Sequence, residues 1–140
     1  MVSLMRVSIV VLNYNYARFV AAAIESALGQ TAEGCEVIVV DNGSTDHSLE
    51  VIARYAERVR LVRQPVNIGQ GQGYNLGIEA ARGEWIVWLD ADDMLDPDAI
   101  ATCLAAADAD TAKVQYSQRV PVAAGAVRHR RRTRRVNAAR

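Results

Sequence analysis

Trp85-Ile86-Val87-Trp88-Leu89-Asp90-Ala91-Asp92-Asp93 is an apolar run that ends abruptly in three carboxylates within four positions. Consecutive apolar side chains without polar alternation read as a strand covered on both faces, as in a parallel sheet flanked by helices. In an extended chain alternate residues point the same way. Asp90 and Asp92 are therefore expected to project together, with the small Ala91 leaving room between them. Three negative charges held that close repel one another unless a cation lies among them. A hard divalent ion, Mn²⁺ or Mg²⁺, suits carboxylate oxygen and commonly shares its shell with phosphate. A solvated acidic turn ahead of a helix beginning near Pro97 is the plainer alternative.

Working outward, the same strand-then-helix signal recurs. Residues 7–12 are a continuous β-branched run, and residues 18–30 follow with Phe19, Ala23, Ile24, Ala27 and Leu28 on one helical face. Residues 36–40 read as a second strand, ending in Asp41-Asn42-Gly43-Ser44-Thr45-Asp46. There Ser44, Thr45 or Asp46 can cap a helix running through Leu49, Ile52, Ala53 and Ala56. Residues 59–62 form a third strand closed by Pro65, and residues 71–82 a helix with Tyr74, Leu76, Ile78 and Ala81, stopped by Gly83. Residues 84–89 are the fourth strand, and Asp96-Pro97 opens an alanine-rich helix over residues 99–107.

Four such units in succession predict an α/β fold, a mostly parallel sheet with helices on both faces. Sheets of this kind bind ligands at the carboxyl ends of their strands. Each polar cluster falls at such an end: Asn13-Tyr14-Asn15, Asp41-Asn42, Asn67-Ile68-Gly69 and Asp90-Ala91-Asp92-Asp93. Together they offer the parts a nucleoside diphosphate needs. Tyr14 supplies a face for a base to stack on, and Asp41 or Asn42 a hydrogen-bonding group for its polar edge. A cation at Asp92 would bridge the phosphates.

A net charge of zero over 140 residues conceals a division. Residues 1–110 hold all sixteen acidic residues and seven arginines, a balance of −9; residues 111–140 hold Lys113 and eight arginines, a balance of +9. One domain over residues 1–118 is expected, followed by a basic tail over 119–140. Residues 114–117 and 120–122 read as short strands, and the stretch from Arg128, lacking apolar periodicity, as chain without regular structure. After Tyr116 no aromatic residue is available to stack on bases, which argues against a nucleic-acid partner. Gly69-Gln70-Gly71-Gln72-Gly73 neither makes GxGxxG nor follows the first strand, which argues against a dinucleotide site. Cys35 and Cys103 are isolated and read as buried free thiols of a reducing compartment. No apolar run approaches the ~18 residues of a membrane span. The expected location is the cytoplasm, or the membrane surface as a peripheral protein.

In this order and spacing the blocks resemble family 2 glycosyltransferases. Val7-Ser8-Ile9-Val10-Val11-Leu12-Asn13-Tyr14-Asn15 is similar to that family's opening strand, and Ile24-Glu25-Ser26-Ala27-Leu28-Gly29-Gln30-Thr31 to its first helix. Glu36-Val37-Ile38-Val39-Val40-Asp41-Asn42-Gly43-Ser44-Thr45-Asp46 is similar to its second strand and turn. Asn67-Ile68-Gly69 with Asn75-Leu76-Gly77 resembles its glycine-bearing segment, and Gly83-Glu84-Trp85-Ile86 leading to Asp90-Ala91-Asp92-Asp93 its DXD metal motif.

The resemblance, running from about Val7 to Asp98, implies a GT-A fold: a Rossmann-like nucleotide-binding half followed by an acceptor-binding half, of which this chain would be the first. It implies a UDP- or dTDP-sugar donor with Mn²⁺ or Mg²⁺, and an acceptor that is a saccharide, a lipid-linked glycan or another hydroxyl. Donor contacts would fall to Asn13, Tyr14, Asn15, Asp41, Asn42, Asn75, Asp90 and Ala91, and the metal to Asp90, Asp92 and Asp93. Transfer would invert the anomeric centre, a carboxylate base taking the acceptor's proton. Three departures stand out. Leu12-Asn13 replaces the common proline and threonine, and Tyr74 stands where an arginine often precedes the asparagine. No Glu or Asp follows Asp110, so the family's base has no counterpart here and the catalytic residue is unassigned. The expectation is an inverting, metal-dependent glycosyltransferase; the alternative is a nucleotide-sugar-binding fragment or inactive homologue lacking that base.

Overall fold

Strand β1 (Val7–Asn13) is buried at every position, because helices cover both faces of the sheet it centres. The structure, a computed structural model, describes residues 5–109, 114–120 and 127–135, with side chains through residue 108. β2 (Cys35–Asn42) and β4 (Trp85–Asp90) pair in parallel with β1 on its two sides, and β3 (Arg60–Gln64) pairs in parallel with β2. Strand alternation sorts the side chains. Val7, Ile9 and Val11 of β1 join Val37, Val39, Val87 and Leu89 in a large cluster completed by helices α1 (Val20–Leu28), α2 (Ser48–Ala53) and α4 (Ala99–Ala109). Val10 and Leu12 face the other way, with Ile38, Val40 and Ile86, under helix α3 (Gln70–Ala80). This is the predicted doubly covered α/β sheet.

The four parallel strands stand in the order β3-β2-β1-β4. The chain builds outward from β1 through β2 to β3 and then returns to place β4 on the far side. The reversal creates a switch point between β1 and β4, the crevice where such sheets bind ligands.

Beyond β4 the reading changes. β5 (Val114–Val120) is one strand running across the boundary expected at residue 118, rather than two short ones; the remainder of the expected strand at 120–122 lies outside the described residues. The arginine-rich stretch expected to lack regular structure forms β6 (Val127–Arg135), antiparallel to β5 and, at Ile86 and Trp85, to β4. A ladder is made by backbone groups, so apolar periodicity is not required for it. Of the three residues expected to cap α2, Asp46 is the one that reaches its start. α2 begins at Ser48, and neither Ser44 nor Thr45 caps it; Asp46 Oδ1 instead accepts from the Ser48 N–H at 2.9 Å and from its hydroxyl at 2.5 Å.

Both cysteines are free. Cys103 on α4 is buried, and burial pushes its thiol up to about 11; burial also raises Cys35. Thiolate is the reacting form, so Cys103 is expected to react with Ellman's reagent at pH 8 on the order of 100-fold more slowly in native protein than in urea. Equal rates would place α4 off the sheet.

Candidate functional site

At the carboxyl ends of the strands the first two loops are fastened to each other. Asn15 sits at φ 55°, the left-handed region that asparagine tolerates better than most residues. From there its side-chain oxygen accepts from the N–H groups of Thr45 at 2.7 Å and Asp46 at 3.2 Å, while its own N–H donates to Ser44 Oγ at 3.0 Å. Ala17 N–H donates to Asp46 Oδ2 at 3.0 Å. Burial works against the Asp46 charge, but hydrogen bonds from Ser48 and Ala17 outweigh it and hold the carboxyl below its ordinary range. This clasp is therefore fully formed above the ordinary carboxylate pKa and loosens as pH falls through the lowered one.

Beneath the clasp, Asp41 is 1% exposed. Its Oδ1 accepts from Asn13 Nδ2 at 2.9 Å and from the Ser44 hydroxyl at 2.6 Å, and its Oδ2 accepts from the Ser44 N–H at 3.1 Å. Asn42, equally buried, donates to Gly69 O at 3.1 Å and accepts from the Ile68 N–H at 3.1 Å. Asp41 thus braces the second loop and Asn42 pins residues 67–69. Gly43, at φ 77°, lets that segment pass over it, since a Cβ would lie 2.5 Å from Asn67 N. Asn13 Oδ1 is buried with no hydrogen-bond partner among the described residues.

The acidic cluster is gathered by a different device from the one expected. Strand geometry stops at Asp90, and the chain turns, with Asp93 N–H donating to Asp90 O at 3.0 Å. The two-residue alternation therefore does not extend past Asp90. Ala91, instead of spacing two carboxylates, is buried in the core, and its N–H donates to Leu12 O at 3.1 Å. The turn still converges all three acids. One oxygen from each of Asp90, Asp92 and Asp93 lies within 4.8 Å of the others, with Asp92 exposed and Asp93 buried. Ser26 and Gln30 of α1 hold the following segment: Ser26 Oγ accepts from Leu95 N–H at 3.1 Å, and Gln30 bridges Asp96 O and Ile100 N–H.

A cleft of about 240 Å³ opens beside this turn, at the switch point, lined by Leu12, Tyr14, Tyr16, Asn42, Asn67, Gln70, Asp90, Ala91 and Asp92. Tyr14 is 40% exposed on its rim. None of these lining residues is basic. Three hard oxygen donors within 4.8 Å fit a divalent cation, and among the described residues an anionic ligand in this cleft would find no lining side chain to balance its charge. Asn75 is exposed on α3 and is not among the lining residues. Tyr16 and Gln70 lie outside the expected site residues, and Asn67 is expected only as part of the polar cluster at the third strand's end. A larger hollow of about 500 Å³ lies at the opposite end of the sheet, but its Glu36 is already engaged by Arg60, 3.1 Å away, and by the Arg82 N–H at 2.7 Å.

The sequence profile of glycosyl transferase family 2 matches residues 8–139. This chain belongs to that family. It is 43% identical over 109 residues to the succinoglycan biosynthesis protein ExoO of Rhizobium meliloti, covering 77% of this chain and 31% of that protein. To the chondroitin synthase of Escherichia coli it is 42% identical over 101 residues, 70% of this chain and 15% of the synthase. The family 2 chain thus spans about a third or less of each of these relatives. Its fold matches S. aureus TarS in complex with UDP-GlcNAc, with TM-score 0.72 and 25% identity over 79% of this chain and 33% of that one. It also matches the mannosyltransferase PcManGT of Pyrobaculum calidifontis, in complex with GDP-Man and Mn²⁺, with TM-score 0.66 and 29% identity over 71% and 31%. The fold is therefore Rossmann-like GT-A. Among its described residues no helix is long and apolar enough to cross a membrane.

Proposed function

We propose that this chain forms the donor-binding half of a metal-dependent, inverting glycosyltransferase, and that the cleft holds a nucleoside-diphosphate sugar, with UDP- or dTDP-linked donors preferred. The observation that carries this reading is the convergence of three carboxylates beside a cleft with an exposed tyrosine and, among the described residues, no basic lining residue. Asp90, Asp92 and Asp93 would hold Mn²⁺ or Mg²⁺, which when bound would offset diphosphate charge and stabilise the leaving group. Tyr14 offers its ring to the base, and Asn13, buried behind it, braces Asp41. Asp41, Asn42 and Asn15 act by fixing the loops, and Ala91 by bringing its backbone to the cleft wall. Every cleft residue falls within 1–118. The acceptor would be a saccharide, a lipid-linked glycan or another hydroxyl. The free thiols agree with a reducing compartment such as the cytoplasm.

Isothermal calorimetry tests the reading. UDP is expected to bind at least ten-fold more tightly with Mn²⁺ than with EDTA; equal affinities would refute a metal-bridged diphosphate. Among the described residues both carboxylates that line the cleft belong to the proposed metal cluster, which leaves donor binding without transfer as a second reading. Metal-dependent binding without turnover of a labelled donor would support it, and sustained turnover would refute it.

A further inference from the structure

Tyr74, read from sequence as the loss of a cation, makes a contact the sequence did not reveal. Its hydroxyl donates to Asp90 Oδ1, and its ring stands edge-on to Trp88, centroids 4.5 Å apart at 84°. The position is held firmly from behind. Gly73 and Gly77 flank it on α3, so close to the sheet that a Cβ at either would meet Leu12 Cδ1 at 2.8 Å or Val10 Cγ1 at 2.3 Å. Trp88 lies two residues before Asp90 on β4 and therefore on the same face of the sheet.

We propose that Tyr74 is a positioning residue for Asp90, holding its carboxylate in the cluster and thereby setting the cluster's affinity for a divalent cation. The proposal rests on the donor-site reading. Like charges within 4.8 Å repel, and a donor to Asp90 Oδ1 works against that repulsion. A hydroxyl donor restrains a carboxylate strongly without bringing positive charge. An arginine in its place would restrain Asp90 too, but would neutralise part of the charge that attracts the metal. With tyrosine the three negative charges remain available to the cation, in a cleft where none of the described lining residues is basic.

Tyr74→Phe keeps the ring on Trp88 and removes only the hydroxyl. By calorimetry, Mn²⁺-dependent affinity for UDP is expected to fall about ten-fold, with UDP binding in EDTA unchanged and the melting temperature lowered by no more than a few degrees. In an Asp90→Asn background, Tyr74→Phe should add little further loss, because the two residues act through one interaction. Undiminished Mn²⁺ dependence in Tyr74→Phe, or an undiminished ten-fold loss in the Asp90→Asn background, would overturn the proposal while leaving the donor site standing. A merely structural tyrosine would lower the melting temperature and EDTA binding together, which also overturns it. A parent protein whose UDP binding ignores Mn²⁺ would remove the donor-site reading itself.

Discussion

Asp92→Asn is expected to lower Mn²⁺-dependent affinity for UDP about 100-fold while leaving the melting temperature unchanged or slightly raised. Asp92 is the exposed member of the cluster and lines the cleft. Replacing it removes one of the three carboxylates that would hold the cation. The same change relieves repulsion among carboxylates within 4.8 Å of one another. Function and stability should therefore move in opposite directions, the pattern of a site held against its own electrostatics. In EDTA the variant should bind UDP as well as the parent or slightly better, because a charge facing the diphosphate has gone. Calorimetry with and without Mn²⁺, beside a thermal melt, reads all three effects. A variant with undiminished Mn²⁺ dependence would move the metal away from this turn.

Gly77→Val is expected to destabilise the protein by about 3 kcal/mol, an overpacking cost at the upper end of the usual range. For a chain of this length that lowers the melting temperature by on the order of 10 °C. The reason is distance: even the first added carbon would lie 2.3 Å from Val10 Cγ1 and 3.2 Å from Cγ2. Val10 is fully buried between β2 and β4 and has nowhere to move. Helix propensity favours leaving glycine by less than about 1 kcal/mol, so packing decides the sign. Asn75→Ala, on the exposed side of the same helix, is the control and should leave the melt nearly unchanged. A Gly77→Val melt within 2 °C of the parent would mean that α3 does not approach the sheet so closely.

The framework was legible because its strands are buried on both faces, so residues 7–12, 36–40 and 84–89 appear as unbroken apolar runs. Their observed ends differ from the expected ones by one or two residues. Polar residues were harder to place. Asp41 and Asn42 stand where a ligand could meet them, yet tertiary partners claim them: Ser44 and Asn13 for one, Ile68 and Gly69 for the other. Spacing cannot show which donor, some 25 residues away, reaches a given amide. The acidic cluster was legible in composition but not in geometry, because the turn that closes at Asp93 is set by contacts of the following segment with α1. Tyr74 was misjudged for a related reason. Its value depends on Trp88 and Asp90, which only the fold brings beside it. β6 was missed because arginine carries no packing signal, whereas its ladder is formed by backbone.

The clasp built on Asn15 carries a further consequence. It joins residues 13–17 to residues 44–46, and the cleft draws its walls from segments as far apart in the chain as Leu12 and Asp92. A fragment lacking either of these segments lacks part of the binding surface, so ligand occupancy and the folding of residues 12–92 are coupled. A nucleotide and its cation present at 100 times their dissociation constant would then add about 2.7 kcal/mol to the folding free energy. In a cell, supply of the donor would also act on the lifetime of the protein, protecting occupied molecules from proteolysis while empty ones turn over faster.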